Sequence, residues 1–299
     1  MINITDVTKN FDDIKALNKI NLEINDNGIY GLVGTNGAGK STLMRLLSGV
    51  LQPTEGSILL DGTGVYDNVE VKKDLFFIPD DAYFFPNITP KEMGDYYNGF
   101  YPKFDKTMFL HLLDNFKLEA NRKINGFSKG MKKQLSIILG LSAQTKYIFC
   151  DETFDGLDPV MRQGVKSLFA ATLSERDFTV VIASHNLREL EDISDHIGLL
   201  HKGGVLFSKD LDDMKTTIHK IQGIFDKSLE KEHFADMEIL QMQRRGSLYT
   251  LVARGDEKEI MATLQRENPL FLESLPLSLE EIFISETEVK GYDIKKLIQ

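Results

Sequence analysis

Cysteine is almost absent: Cys150 is the only one, so no internal disulfide can form. Its apolar neighbours Ile148 and Phe149 mark it as a buried strand residue, and a reducing compartment suits such a chain. Basic charge is also short, with 35 Lys and Arg against 45 Asp and Glu, a formal net charge of -10. Following a nucleic-acid backbone needs a clustered basic excess, so no nucleic acid is expected as a main partner. No uninterrupted apolar stretch approaches the roughly 18 residues that suggest a membrane-crossing helix. The opening residues, MINITDVTK, lack the basic-then-apolar order of a secretory leader. These absences predict a cytoplasmic chain. Neither a solenoid repeat nor a low-complexity tract is present.

What is present is punctuated alternation. A length of 299 residues allows roughly two domains of about 150 residues each. Ile2 to Val7, Ile20 to Ile24, Ile29 to Val33, Gly56 to Leu60 and Leu75 to Pro79 read as strands, short and rich in branched side chains between Asn, Asp and Gly breaks. Thr42 to Ser48 carries Leu43, Leu46 and Leu47 at helical spacing. Pro90 to Leu118 reads as helical, with Met108, Leu112 and Asp114 to Phe116 following a segment rich in Tyr, Phe and Gly, which suggests an inserted helical subdomain. Strand, helix and strand return at Tyr147 to Cys150, Pro159 to Leu173 and Thr179 to Ser184, as a doubly wound core requires. Ile197 to Leu200 and Val205 to Phe207 predict a hairpin around Gly203-Gly204. Beyond about Asp210, strand-like Ile218 to Phe225 and Leu248 to Ala253 alternate with helix-like Glu257 to Glu267 and Ser278 to Glu286.

Gly34 to Thr42, GTNGAGKST, stands between the strand Ile29 to Val33 and the helix, the context a phosphate loop needs. Gly34, Gly37 and Gly39 let the backbone, with Thr35, Asn36 and Ala38, wrap phosphates in N–H groups. Lys40 neutralises the β- and γ-phosphates, Ser41 places its hydroxyl on Mg²⁺, and Thr42 continues into a helix whose positive end faces the anion. Asp151 ends the apolar run KYIFCDE at a sheet edge, where it can hold Mg²⁺ through water. Glu152 beside it is placed to act as general base toward water at the γ-phosphate.

With Phe127 to Gln134, FSKGMKKQ, lying between these two motifs, the sequence resembles the ATPase subunit of an ATP-binding-cassette (ABC) transporter, most like those of bacterial drug, antibiotic and peptide exporters. The resemblance spans roughly Ile2 to Phe207. It implies an α/β P-loop fold with a mixed sheet core: an ABC ATPase domain over 1–210, with a helical subdomain about 81–143, and a small α+β accessory domain over 211–299. ATP and Mg²⁺ are the implied cofactors. The implied partners are a second ATPase subunit and an integral-membrane permease, which would hold the chain at the inner face of the membrane and supply the pore.

Residue by residue, the resemblance sets Ser128 and Gly130 against the γ-phosphate bound by the partner subunit; an ordinary helix capped by Ser is the rival reading. Lys129 and Met131 depart from the commoner LSGGQ form. Asp158, in DGLDP, matches an interface carboxylate, or simply precedes a Pro-started helix. His185 matches a histidine on the γ-phosphate, or is a structural His after a strand. Phe11 matches an aromatic that stacks on adenine, or is a core residue. Asp80 stands where the family usually has Gln; a carboxylate accepts hydrogen bonds but donates none, though it can reach the Mg²⁺ shell. Tyr83, Phe84, Phe85, Tyr96 and Tyr97 form either a permease-docking surface or a subdomain core. SLEEIFI at Ser278 to Ile284 matches exporter ATPases, and equally begins a helix with a capping box. Import, or ATPase work on ribosomes or DNA, are the competing functions; the latter usually brings paired cassettes or a long coiled coil. A sensor without turnover would lack a base at Glu152.

Overall fold

The computed structural model describes residues 1–234 and 237–289, and the chain divides into two compact units, Met1–Ser208 and Lys209–Gln299. In chain order the first begins with β1 (Ile2–Phe11), β2 (Ile14–Ile24), β3 (Gly28–Val33), α1 (Lys40–Leu47), β4 (Glu55–Leu60) and β5 (Thr63–Gly64). There follow α2 (Val69–Lys72), β6 (Leu75–Ile78), α3 (Pro90–Asn98), α4 (Lys106–Asn115), α5 (Lys129–Ser142) and β7 (Tyr147–Asp151). The remaining elements are α6 (Pro159–Glu175), β8 (Thr179–Ser184), α7 (Leu187–Glu191), β9 (His196–His201) and β10 (Gly204–Asp210).

Two sheets make the core. One is antiparallel, in the order β2-β1-β4-β5, and the other is six-stranded, β10-β9-β3-β8-β7-β6. Within the second, β9, β3, β8, β7 and β6 run parallel. Parallel strands are covered on both faces, which is why YIFCD and TVVIAS are buried at every residue. The antiparallel β1 and β2 alternate instead, and their outer halves, toward the Asp12-Asp13 turn, were too polar to read as strand from sequence. Leu43, Met44, Leu46 and Leu47 seat α1 in the same core as both sheets.

Register fixes where the parallel strands end. Val33 lies opposite Ser184, Ala183 opposite Asp151, and Cys150 opposite Ile78. The phosphate loop, Asp151-Glu152, His185 and Asp80 therefore leave one sheet edge together, from four adjacent strands. Between β6 and β7 the helical segment is two separate helices, α3 and α4, before α5, where the sequence pattern predicted one helical stretch from Pro90 to Leu118.

The second unit comprises α8 (Leu211–Thr217), β11 (Ile218–Ile224), β12 (Glu238–Arg245), β13 (Leu248–Arg254), α9 (Glu257–Gln265), β14 (Phe271–Leu275) and α10 (Leu279–Val289). Its antiparallel sheet runs β12-β13-β11-β14. Ile221, Tyr249, Leu251 and Ala253 from the central strands pack with Ile260 and Leu264 of α9. Ser278 and Glu281 form a reciprocal capping box at the start of α10, the local chemistry behind SLEEIFI. Among the described residues, no helix is long and apolar enough to cross a membrane.

Candidate functional site

The loop between β3 and α1 is built by two close approaches. A Cβ on Gly34 would lie 2.5 Å from the Leu200 carbonyl oxygen, and Gly39 has φ +107° with the Ala16 carbonyl 2.8 Å from where its Cβ would stand. Only glycine fits both. Gly37 faces open space. The loop forms one wall of an open cleft of about 490 Å³, with Asn36, Gly37, Gly39, Lys40, Ser41 and Thr42 on that wall. Asp80 and Glu152, Ile14, Lys15 and Ala16 of β2, and Lys202 and Gly203 also line it.

Lys40 is buried, and its ammonium donates to the Gly34 carbonyl at 2.7 Å and the Thr35 carbonyl at 3.3 Å. It also lies 3.3 Å from Glu152 Oε1. Ser41 Oγ donates to Asp151 Oδ1 at 3.1 Å. Burial pushes the Asp151 carboxyl up; the Ser41 hydrogen bond opposes this, while the charges of Glu152 and Asp80 add to it. Glu152 Oε2 lies 2.9 Å from His185 Nδ1. Its backbone φ is +47°, a left-handed conformation that costs a non-glycine residue energy.

These residues fit a magnesium nucleotide. The N-terminus of α1 has no side-chain cap and no acidic residue in its first turn, so its N–H groups and dipole face the cleft without an internal anion. Ser41 and Asp151 bring two hard oxygen donors together, with the carboxylate buried beside like charges that a divalent cation would offset. Among the described residues, no cluster of three His, Cys, Asp or Glu side chains forms a self-sufficient metal site, so substrate oxygens and water would have to complete the shell.

Residues 17–155 match the ABC transporter family. The ABC transporter ATP-binding protein YtrB of Bacillus subtilis is 32% identical over 96% of this chain and 98% of its own length. The chain belongs to the ABC transporter ATP-binding protein family. The bacitracin transport ATP-binding protein BcrA of Bacillus licheniformis is 28% identical, covering 99% of this chain and 96% of that protein. A dimeric bacterial ABC transporter cassette superposes with a TM-score of 0.65 at 24% identity, over 71% of this chain and 99% of its own, which confirms the α/β cassette fold.

Within this ABC cassette the remaining predicted residues are scattered. Ser128 accepts from Met131 N at 3.2 Å as the cap of α5, and Asp158 caps α6 by accepting from Val160 N and Met161 N at 3.0 Å. A Cβ on Gly130 would sit 3.2 Å from the Gly156 carbonyl oxygen. None of Ser128, Gly130 and Asp158 lines the cleft. Phe11 does not line it either: at 39% exposure it is no core residue, and Lys9 Nζ sits 5.1 Å from its ring centroid. Asp80 Oδ1 is 3.0 Å from Lys133 Nζ, a residue that sequence reasoning did not single out. Nothing local to Lys133 marks it, because its partner is 53 residues away in the chain. The aromatic residues form a chain of rings: buried Phe76 meets Tyr97, Tyr97 meets Tyr96, and Tyr96 meets both Phe85 and Phe100. Tyr83 stands at the end, 73% exposed.

Proposed function

We propose that this ATP-binding subunit hydrolyses ATP as one of two copies closing head to tail around two nucleotides, and drives export through a separate membrane permease. The observation that carries the reading is the convergence of Lys40, Ser41 with Asp151, and Glu152 with His185 at one sheet edge. An arriving γ-phosphate offers Lys40 a stronger acceptor than the Gly34 and Thr35 carbonyls. His185 and Lys40 hold the Glu152 carboxylate by its two oxygens, facing the space the phosphate enters. The oxygen of a water positioned there attacks the γ-phosphorus as the bond to the β,γ-bridging oxygen breaks. ADP departs with that oxygen, and Glu152 takes the water proton. Ser41 and Asp151 would hold Mg²⁺, which would supply neutralisation of phosphate charge.

Ser128 and Gly130 lie outside their own chain's cleft, which supports a role toward a nucleotide held by a second copy. The dimeric form of the cassette neighbour supports the same twofold arrangement. The exposed rings of Tyr83, Phe85, Tyr96 and Phe100 form an apolar patch suited to a permease loop. The transport role is supported by likeness to BcrA, a bacitracin transport ATP-binding protein, over nearly the full length of both chains. Glu152→Gln should leave ATP binding intact and stop turnover. Steady-state hydrolysis undiminished in that variant would remove Glu152 from the role of base.

A further inference from the structure

Lys133 is a largely buried cation on the element that carries the FSKGMKKQ motif. Its side chain is 13% exposed, and α5 delivers it little more than one helical turn after the Ser128 cap. The ammonium donates to the backbone carbonyl of Glu152 at 2.6 Å and to Asp80 Oδ1 at 3.0 Å. Each contact falls on a residue that stands out. Asp80 occupies the position where an amide side chain was expected from the resemblance, and Glu152 is held left-handed with φ +47°.

A left-handed non-glycine residue persists only where its surroundings hold it there. For Glu152 the backbone N–H is fixed by the Ala183 carbonyl at 2.9 Å, while the carbonyl accepts from the Lys133 ammonium at 2.6 Å and, more weakly, from Asp155 N at 3.3 Å. A charge-assisted hydrogen bond to the carbonyl, with the amide already pinned, restrains the peptide planes on both sides of Cα. That restraint sets the direction of the Glu152 side chain, whose oxygens meet Lys40 and His185. Asp80, 60% exposed, holds the ammonium from the outer side; a neutral Gln could not supply the counter-charge that a buried lysine requires. The Asp and the Lys thus make chemical sense as a pair.

We propose that Lys133 is a positioning residue for hydrolysis, locking the Glu152 backbone in its left-handed conformation, with Asp80 serving to hold the Lys133 ammonium in place. This rests on the reading of Glu152 as the base. It also joins two parts of one subunit: the helix capped by Ser128, offered to the partner's nucleotide, carries the side chain that orients the base at the subunit's own nucleotide.

The test uses the full-length chain. In Lys133→Met, kcat for ATP should fall about 10- to 100-fold, the scale on which small misplacements of a reacting group act, with equilibrium ATP affinity within about twofold of the parent. The Glu152 carbonyl-carbon NMR resonance should shift, since its charged donor is gone and only Asp155 N, at 3.3 Å, remains. Lys133→Arg, which keeps a charged donor, should restore most of kcat. Asp80→Asn should lower kcat in the parent but change nothing further in Lys133→Met, because the two act in series. Parental kcat in Lys133→Met, an unmoved Glu152 resonance, or independent effects of the two substitutions would overturn the proposal. Should Lys133→Met fail to fold, Asp80→Asn alone decides, and parental kcat there overturns it. Glu152→Gln run alongside separates the failures: if it is inactive while Lys133→Met is fully active, only the positioning role is lost; if it still turns over, the general-base reading falls and this one with it.

Discussion

At the residue scale the two edges of the parallel sheet do different work. The end where β3, β7 and β8 finish carries the cleft, while the end where β7 begins carries an ionic cluster. There Lys146 Nζ meets Asp26 at 2.9 Å and Asp61 at 2.8 Å, and Tyr147 Oη lies within hydrogen-bonding distance of both carboxylates, at 3.0 and 2.9 Å. Burial works against the charged form of Asp61, but hydrogen bonds led by the one from Lys146 prevail and hold its pKa down at about 2. The folded state therefore binds this proton less readily than the unfolded chain, whose carboxylate titrates near 3.9. The contribution is present above about pH 4 and is lost as pH falls toward 2. Half-exposure of Asp61 keeps it small. Asp61→Asn should flatten the fall in urea midpoint between those pH values and lower the midpoint near pH 7; an acid limb as steep as the parent's would show that the cluster adds nothing.

At the element scale, the edges of the six-stranded sheet, β6 and β10, were legible, while those of the second unit's sheet were not. Thr89-Pro90 with Glu92 gives α3 a reciprocal capping box, Thr89 N donating to Glu92 Oε2 at 2.8 Å and Glu92 N to Thr89 Oγ1 at 3.3 Å. Thr89→Ala should cost about 1 kcal/mol, or a Tm about 2–4 °C lower for a domain of this size. ATP turnover should stay unchanged, and an unmoved Tm would mean the cap is replaced by water at no cost. In the second unit the two central strands, β11 and β13, are visible in the sequence as apolar runs. The strands not foreseen, β12 and β14, are the two edges of that sheet. Of EILQMQRR only Leu240 is buried, and no residue of FLESL is. An edge strand earns its place through backbone pairing on one side, which leaves little periodicity for a reader to find.

At the scale of the whole molecule, one chain supplies every group of the cleft except those proposed to come from a second copy. Trapping ATP should reveal that need. Glu152→Gln with MgATP should sediment as a dimer and return to monomer with ADP, whereas Ser128→Arg in the same background should stay monomeric. A Glu152→Gln protein that remains monomeric at saturating ATP would count against the head-to-tail arrangement. The ring chain runs from buried Phe76 to exposed outer members. Of the aromatics singled out in the sequence, Tyr83, Phe85 and Tyr96 are exposed rather than core.

The sequence by itself determined the phosphate loop, the strand-ending Asp151-Glu152 pair and the order of motifs, because each rests on spacing within a few residues and on glycines that only one backbone path requires. Tertiary structure decided what those residues face. It took Phe11 out of the core, showed Ser128 and Asp158 serving as caps, and set Lys133 against Glu152 and Asp80. The pairing of β6, β7 and β8 places groups dozens of residues apart within hydrogen-bonding distance. Such contacts follow from strand register and helix rotation in three dimensions, and no local pattern of side chains encodes them.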